Sequence, residues 1–295
     1  MSNVNQKRDK MRKQPVHIRI KINTILKWII AIVILFIAVF PIWWMFCIVF
    51  SDPGIPVSVD PRLYPSSLSS GIQNIINVLT VNDYQYLRAY LNTSLYTFFT
   101  IIGTLILCSM AAYEFALFEF PGKNILFTLA LISLMVPAIV TLIPTYLLVA
   151  DLGWINTLQG LVIPGIASAF GLFMLTQFFR DIPKEIMDAA LIDGATHFQV
   201  YRYVVMPLST NALITLSIIT FIRSWGNYVW PLVIATSEKT FTVSQMINRY
   251  NANFSRASIN TIMTANLLAA VLPLLFFLFF QNKIIKGVSM SGIKG

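Results

Sequence analysis

Hydrophobic residues in this chain come in long uninterrupted blocks, not in alternation with polar ones. Six apolar runs, at roughly 27–50, 92–118, 125–149, 158–179, 208–235 and 261–281, each reach the length of about 20 residues that carries a helix across a bilayer core. They predict six transmembrane helices in an all-α integral membrane protein. Between the fourth and fifth runs lies the one long polar stretch of its kind, RDIPKEIMDAALIDGATHFQVYRYVVMP at 180–207.

Local signals divide that stretch in two. Asp181 is placed to cap a helix with Pro183 in its first turn, where a missing amide hydrogen is tolerated. The helix continues from Lys184 through Leu191, and Gly194 ends it in a left-handed turn that only glycine adopts without steric cost. Thr196 and Gln199 have the capping-box spacing for a second helix, which Pro207 should bring to a stop. Elsewhere, the Pro- and Ser-rich connection 51–90, with Pro53, Gly54, Pro56, Pro61 and Pro65, predicts irregular chain before a helix enters the second run near Asn92. Phe120–Lys123 reads as a tight turn between the second and third runs, and the polar link 236–260 as partly helical. No internal repeat or soluble domain interrupts the pattern, so the chain reads as a single membrane domain.

Composition agrees with the class. The chain is 57% hydrophobic and only 11% charged, with a mean hydropathy of +0.72, far from the usual quarter charged. The first run exceeds a signal-peptide core and lacks a small-residue cleavage site after it, so it reads as retained. Cys47 and Cys108 both fall inside apolar runs and read as packing residues, with no disulfide framework, metal site or cofactor motif. The net charge of +9 invites a nucleic-acid reading, but no aromatic–basic platform accompanies it. Its distribution points to a lipid bilayer instead. With six spans, fifteen of the Lys and Arg residues fall on the side of the termini and five on the other. The tail 1–26 with Lys27 supplies eight of them: Lys7, Arg8, Lys10, Arg12, Lys13, Arg19, Lys21 and Lys27. This positive-inside bias places both termini and the 180–207 segment in the cytoplasm.

Candidate chemistry is sparse. Glu185 and Asp188 share a helix face beside the small residues Ala189 and Ala190. Such a face suits a helix inserted into a basic-lined groove on a partner, or equally a solvated loop helix with ordinary surface charges. In the fifth run Ser217, Thr220, Ser224 and Asn227 follow at steps of three, four and three, with Arg223 adjacent. They share a face about 120° wide, which points to protein or water, away from lipid. Ser133, Pro137, Thr141, Pro144 and Thr145 cluster similarly in the third run, where prolines bend helices. Two readings fit these faces: pore lining with Trp225 or Trp230 as a stacking surface, or hydrogen bonding between helices with interfacial Trp anchors. Glu114 lies near a cytoplasmic end, where snorkelling to water competes with a proton-relay role. His17 and His197 lie far from any Cys or paired carboxylates in sequence, so nothing supports membrane-embedded hydrolysis. A secondary transporter would leave the 180–207 stretch without a purpose, and neither inverted repeats nor paired mid-membrane acids are present.

The run Asp188-Ala189-Ala190-Leu191-Ile192-Asp193-Gly194-Ala195, followed by Val204-Val205-Met206-Pro207, resembles the EAA loop of permease subunits of binding-protein-dependent ABC importers. That signature has an acidic residue, two alanines, a glycine a few positions on, then nine residues before an apolar-x-apolar-Pro ending; here 195–203 are those nine. Wider features are similar to the second permease subunit of the carbohydrate-uptake, maltose-type branch. They include Gln177-Phe178-Phe179-Arg180 before Ile182-Pro183, Asn156-Thr157-Leu158, Trp225 through Leu232, and the ending from Lys286-Gly287 to Lys294-Gly295. The likeness runs from about residue 85 to the C-terminus, with a core permease region at 85–285 inside one domain spanning 1–295.

The resemblance implies a homologous partner permease, two ATP-binding subunits, an extracellular solute-binding protein and a carbohydrate cargo, in particular an oligosaccharide. Glu185, Asp188, Ala189, Ala190, Asp193, Gly194, Ala195 and Pro207 would form the ATPase-coupling surface, and Ser217, Thr220, Arg223, Ser224 and Asn227 the pathway lining. The C-terminal tail would also reach toward the ATPases. The chain itself has no GxxxxGK[ST] loop to bind nucleotide phosphates, so hydrolysis belongs to other subunits. The same family also carries amino acids, peptides and phosphate esters. This sequence departs from its pattern at Asp188, where Glu is usual, and at Leu117 and Glu119, where arginines are usual.

Overall fold

The computed structural model describes residues 16–52, 61, 63–252 and 258–291, and the side chains of all of these except 16–23, 81–84 and 282–291. Most of the basic tail, Pro53, Gly54 and Pro56 of the first connection, and the end of the C-terminal tail lie outside the described residues. Among the described residues every regular element is helical. Helix α1 spans Val16–Val49, α2 Leu68–Leu117, α3 Lys123–Ile132 and α4 Ala138–Asp151. Helices α5 (Leu158–Ile166), α6 (Ala169–Arg180) and α7 (Lys184–Ile192) follow, then the short α8 (His197–Val200). The chain ends with α9 (Thr210–Trp225), α10 (Val229–Ile234), α11 (Val243–Ala252) and α12 (Ile259–Ser291).

Three stretches are long and apolar enough to cross a membrane unbroken, Thr24–Val49, Gln85–Leu117 and Ile259–Gln281. The third and fourth apolar runs reach that length only as bent pairs, α3 with α4 at 106° and α5 with α6 at 47°. The fifth run is not one helix either, because α9 stops at Trp225 and α10 resumes at Val229. Prolines explain the sharpest bend. Pro137 excludes the helical conformation from Val136, which is extended at φ −81° and ψ 117°, and α4 restarts after it.

The first connection is less irregular than its prolines suggest. Helix α2 begins at Leu68 and not near Asn92, because Ser67 caps it by accepting from the Ser70 amide at 3.2 Å. From there α2 runs for 50 residues, about 75 Å at 1.5 Å per residue, and serves as the central mast. Its residues enter three successive cores. Tyr86 packs with Val243, Met246 and Ala265 at one end. Tyr96 packs with Val149, Leu161 and Ile234 in the middle. Cys108, Ala112 and Tyr113 pack with Leu175, Phe179, Met187 and Val205 at the other end. Helix α6 lies against this third region so closely that a Cβ on Gly171 would come within 3.1 Å of Cys108 Sγ.

Helix α1 joins the bundle through its final turns. Cys47, Ile48 and Val49 are buried, and Asn260 Nδ2 of α12 donates to the carbonyls of Ile48 and Ser51 at 2.7 and 2.9 Å. Residues 24–41 of α1 are otherwise exposed along their apolar length, as expected of a helix surrounded by lipid or by another membrane chain.

Candidate functional site

Two features stand out along α2, about 20 Å apart by helix rise. The first is the 180–207 segment. The N-cap position of α7 is Pro183 and not Asp181, which instead closes α6 by donating its amide to the Gln177 carbonyl at 3.3 Å. Pro183 disfavours helix at Ile182, so one helix must finish before that residue and the next must begin after it. At the far end, Gly194 has φ +90°. Its N–H donates to Leu191 O and that of Ala195 to Ala190 O, both at 3.0 Å, the paired bonds of a Schellman turn.

The second helix opens with the expected capping box: the Thr196 amide donates to Gln199 Oε1 at 2.7 Å, and the Gln199 amide to Thr196 Oγ1 at 3.3 Å. It does not stop before Pro207. Tyr201–Val205 is a π-helix, Met206–Leu208 continues it, and the axis turns by 77° only at Ser209. The wider π turn makes room for the pyrrolidine ring that an α-turn would crowd.

On α7, Met187 is buried in the core shared with α2, and Ala190, Leu191 and Ala195 pack against it. Glu185, Asp188, Ala189, Asp193 and Gly194 are exposed. Pro207 lies beyond them, at the 206–208 turn. Sequence reasoning missed Ile186 and Ile192 on the same helix. Ile192 is 85% exposed, and its signal was an isoleucine in a polar stretch. The segment is fastened to α2 by polar contacts. Tyr113 Oη donates to the His197 carbonyl at 3.1 Å, Ser109 Oγ and Tyr201 Oη lie 2.7 Å apart, and the Phe118 ring meets His197 edge-on.

Beside this segment, the positions where Leu117 and Glu119 stand border a polar pocket with Lys123, Arg180 and Lys184. The Lys123 ammonium, 2.9 Å from Glu119 Oε1, holds that carboxyl below the usual carboxylate range. Glu114 is exposed near the same end.

The second feature is a cavity of about 400 Å³ between the mast and the broken helices. Helix α2 contributes Tyr96, Thr100 and Thr104, and the first turns of α4 contribute Ala138, Ile139, Thr141 and Thr145. Gly165 comes from the last turn of α5 and Ser168 from the break before α6, and Asn227 from the break before α10 and Trp230 from its first turn. Thr220, Arg223 and Ser224 line it from α9, but Ser217 does not; its hydroxyl donates to Leu213 O of its own helix at 2.8 Å. Ser133, Pro137 and Pro144 are likewise absent from the lining.

Asn227 Nδ2 donates to Tyr96 Oη at 3.2 Å, and Trp230 Nε1 is shared between the Gly160 and Leu161 carbonyls. Trp225 is packed between Tyr90 and Phe221, and its Nε1 donates to Ala269 O at 3.2 Å, which gives it a structural place. Hydroxyls of Thr100, Thr141 and Ser224 donate to carbonyls three or four residues back in their own helices. Their lone pairs are left to accept from a guest, which suits a polyhydroxylated solute.

An apolar helical bundle with broken helices around a cavity that mixes apolar walls with several polar groups fits a membrane protein of the transport type. The chain belongs to the family described as the binding-protein-dependent transport system inner membrane component, whose profile matches residues 104–289. It is similar to the arabinooligosaccharides transport system permease protein AraQ of Halalkalibacterium halodurans, with 30% identity over 93% of this chain and 99% of that one. It is also similar to the sn-glycerol-3-phosphate transport system permease protein UgpE of Escherichia coli, with 31% identity over 85% of this chain and 91% of that one. A crystal structure of a bacterial ABC transporter involved in the import of the acidic polysaccharide alginate shares the fold. It has a TM-score of 0.76 at 21% identity over 89% of this chain and 96% of that one.

Proposed function

We propose that this chain is a permease subunit of an ATP-driven importer that moves a carbohydrate, in particular an oligosaccharide, across the cell membrane. It crosses the membrane six times, each bent pair counting as one span, with both termini and the 180–207 segment in the cytoplasm. A homologous partner permease completes the pathway, an extracellular binding protein delivers the solute, and two separate ATP-binding subunits supply the energy. Residues 1–295 act as one permease domain.

The observation that carries this reading is the exposed face of α7. Glu185, Asp188, Ala189 and Ile192 face outward from a helix whose other side is locked to α2 through Met187. A rigid helix with an acidic and apolar face fits a groove on an ATP-binding subunit. Closure of the ATPase pair would then move α7 and α2 together and alter access to the cavity. Similarity to both an oligosaccharide and a glycerol-phosphate permease protein keeps phosphate esters as the second cargo class.

The test is co-expression with candidate neighbouring subunits, purification of the complex, and binding-protein-dependent ATP hydrolysis across a panel of oligosaccharides. Stimulation by a saccharide is expected. A complex that forms without ATP-binding subunits, or labelling that places Asp188 outside the cell, would overturn the coupling assignment.

A further inference from the structure

We infer that the solute carries an acidic group, a uronate carboxylate or a phosphate ester, and that Arg223 receives it inside the cavity. This deepens the carbohydrate-permease reading and rests on it. Arg223 is the lone charged side chain lining the cavity; among the described residues no Asp or Glu joins it there. Neither of the ion pairs among the described residues involves it. An ionised arginine inside a membrane-spanning bundle is expensive unless a counter-charge or a water-filled pathway accompanies it. The last turn of α9 favours a cation through the helix dipole. That accounts for tolerance of the charge, but not for a cavity lining without a carboxylate.

Helix direction adds a second, independent observation. The first residues of α4, Ala138 and Ile139, line the cavity, and α4 has Pro137 at its N-cap with no side-chain hydrogen bond. Ser168, the N-cap of α6, lines it as well. The start of α4 therefore borders the space that Arg223 enters, and its opening amides, uncapped by a side chain, favour an anion beside it; at α6 the Ser168 hydroxyl already accepts from the Gly171 amide. Thr104 is 1% exposed, and its Oγ1 has no partner among the described residues. The lone pairs of Thr100, Thr141 and Ser224 accept from sugar hydroxyls, while Arg223, beside the start of α4, receives the acid.

The experiment uses the complete complex in proteoliposomes with three probes: a neutral arabinotriose, the same trisaccharide ending in a uronic acid, and glycerol 3-phosphate. Uptake of the uronate trisaccharide should exceed that of the neutral one. Arg223→Gln should lower the acid's uptake by on the order of tenfold, the effect of one lost charge-assisted contact, while Arg223→Lys restores most of it. Neutral trisaccharide uptake that equals or exceeds uronate uptake in the unmutated complex would overturn the inference whatever the variants do. Unchanged acid uptake in Arg223→Gln would do the same. Uptake of glycerol 3-phosphate alone would keep the acidic group and overturn the carbohydrate reading. Neutral uptake alone would keep the carbohydrate and overturn the acid.

Discussion

Tyr113 Oη donates a hydrogen bond to the carbonyl oxygen of His197 at 3.1 Å, across 84 residues of sequence. It ties the mast helix to the turn that positions α7, so motion of one is transmitted to the other. Tyr113→Phe removes the bond and keeps the packing against Phe118 and Tyr201. The expected loss of stability is about 1 kcal/mol, small in a thermal melt. The larger expected change is in the number of ATP molecules hydrolysed per solute imported, which should rise. An unchanged ratio would mean that apolar packing alone transmits the movement.

Gly194 sets the direction of everything after α7. No side-chain atom lies within 4 Å of where its Cβ would be, so a substitution there acts through the backbone alone. With φ at +90°, Gly194→Ala should cost roughly 1–2 kcal/mol. Gly194→Pro cannot adopt this φ at all and should uncouple ATP hydrolysis from uptake. Full uptake with the proline variant would remove the segment from the coupling path.

How legible all this was depended on whether a feature is local. Gly194 and the Thr196–Gln199 box are set by residues within a few positions and read directly from sequence. The apolar blocks marked where spans lie but not where they break, because hydropathy is blind to axis. The bend at Pro137 was legible from its proline, whereas the interruption after Trp225, at Gly226-Asn227-Tyr228, was not marked by hydropathy. The face containing Ser217, Thr220, Arg223, Ser224 and Asn227 is real on an ideal helix, yet the cavity begins only above Ser217. Contributions from α2 were invisible, since Tyr96, Thr100 and Thr104 look like ordinary polar relief in a membrane helix until α4 and α9 are placed beside them.

Asn156 holds the left-handed conformation at φ +59° while tying two distant stretches together. Its Oδ1 faces the amides of Thr236 and Ser237 at 2.7 and 2.8 Å and Thr240 Oγ1 at 2.9 Å. Asn156→Ala loses these bonds and keeps the strain, so a loss of about 2–3 kcal/mol is expected. Asn156→Asp keeps the acceptor and should lose less. Thermal unfolding in nanodiscs ranks the two; equal losses would mean that strain, not bonding, dominates.

Glu119 gives the turn between α2 and α3 an acid sensitivity. Because Lys123 lowers its pKa, the stabilisation is fully present above the ordinary carboxylate range. It is lost as pH falls through the lowered value. Glu119→Gln should lower the melting temperature slightly at neutral pH, where the pair with Lys123 is formed, and should melt like the parent once acid has protonated Glu119. Glu119 is exposed, so the effect is modest. A variant that still melts earlier in acid by the same amount would place the sensitivity elsewhere.

Asn227 and Ser217 sit on one face of the fifth apolar run, but only Asn227 reaches the cavity. Asn227→Leu removes the bond to Tyr96 Oη, and with it the acceptor that the Trp230 amide approaches at 3.4 Å. It also replaces a polar wall with an apolar one. Uptake should fall by about tenfold, the effect of one or two hydrogen bonds, with complex yield unchanged. Ser217→Ala, whose hydroxyl serves only its own helix, should transport within twofold of the parent. If Asn227→Leu instead abolishes assembly, the face works between helices and does not line the pathway. If Ser217→Ala is the more harmful, the pathway runs along a lower stretch of α9 than the cavity described here.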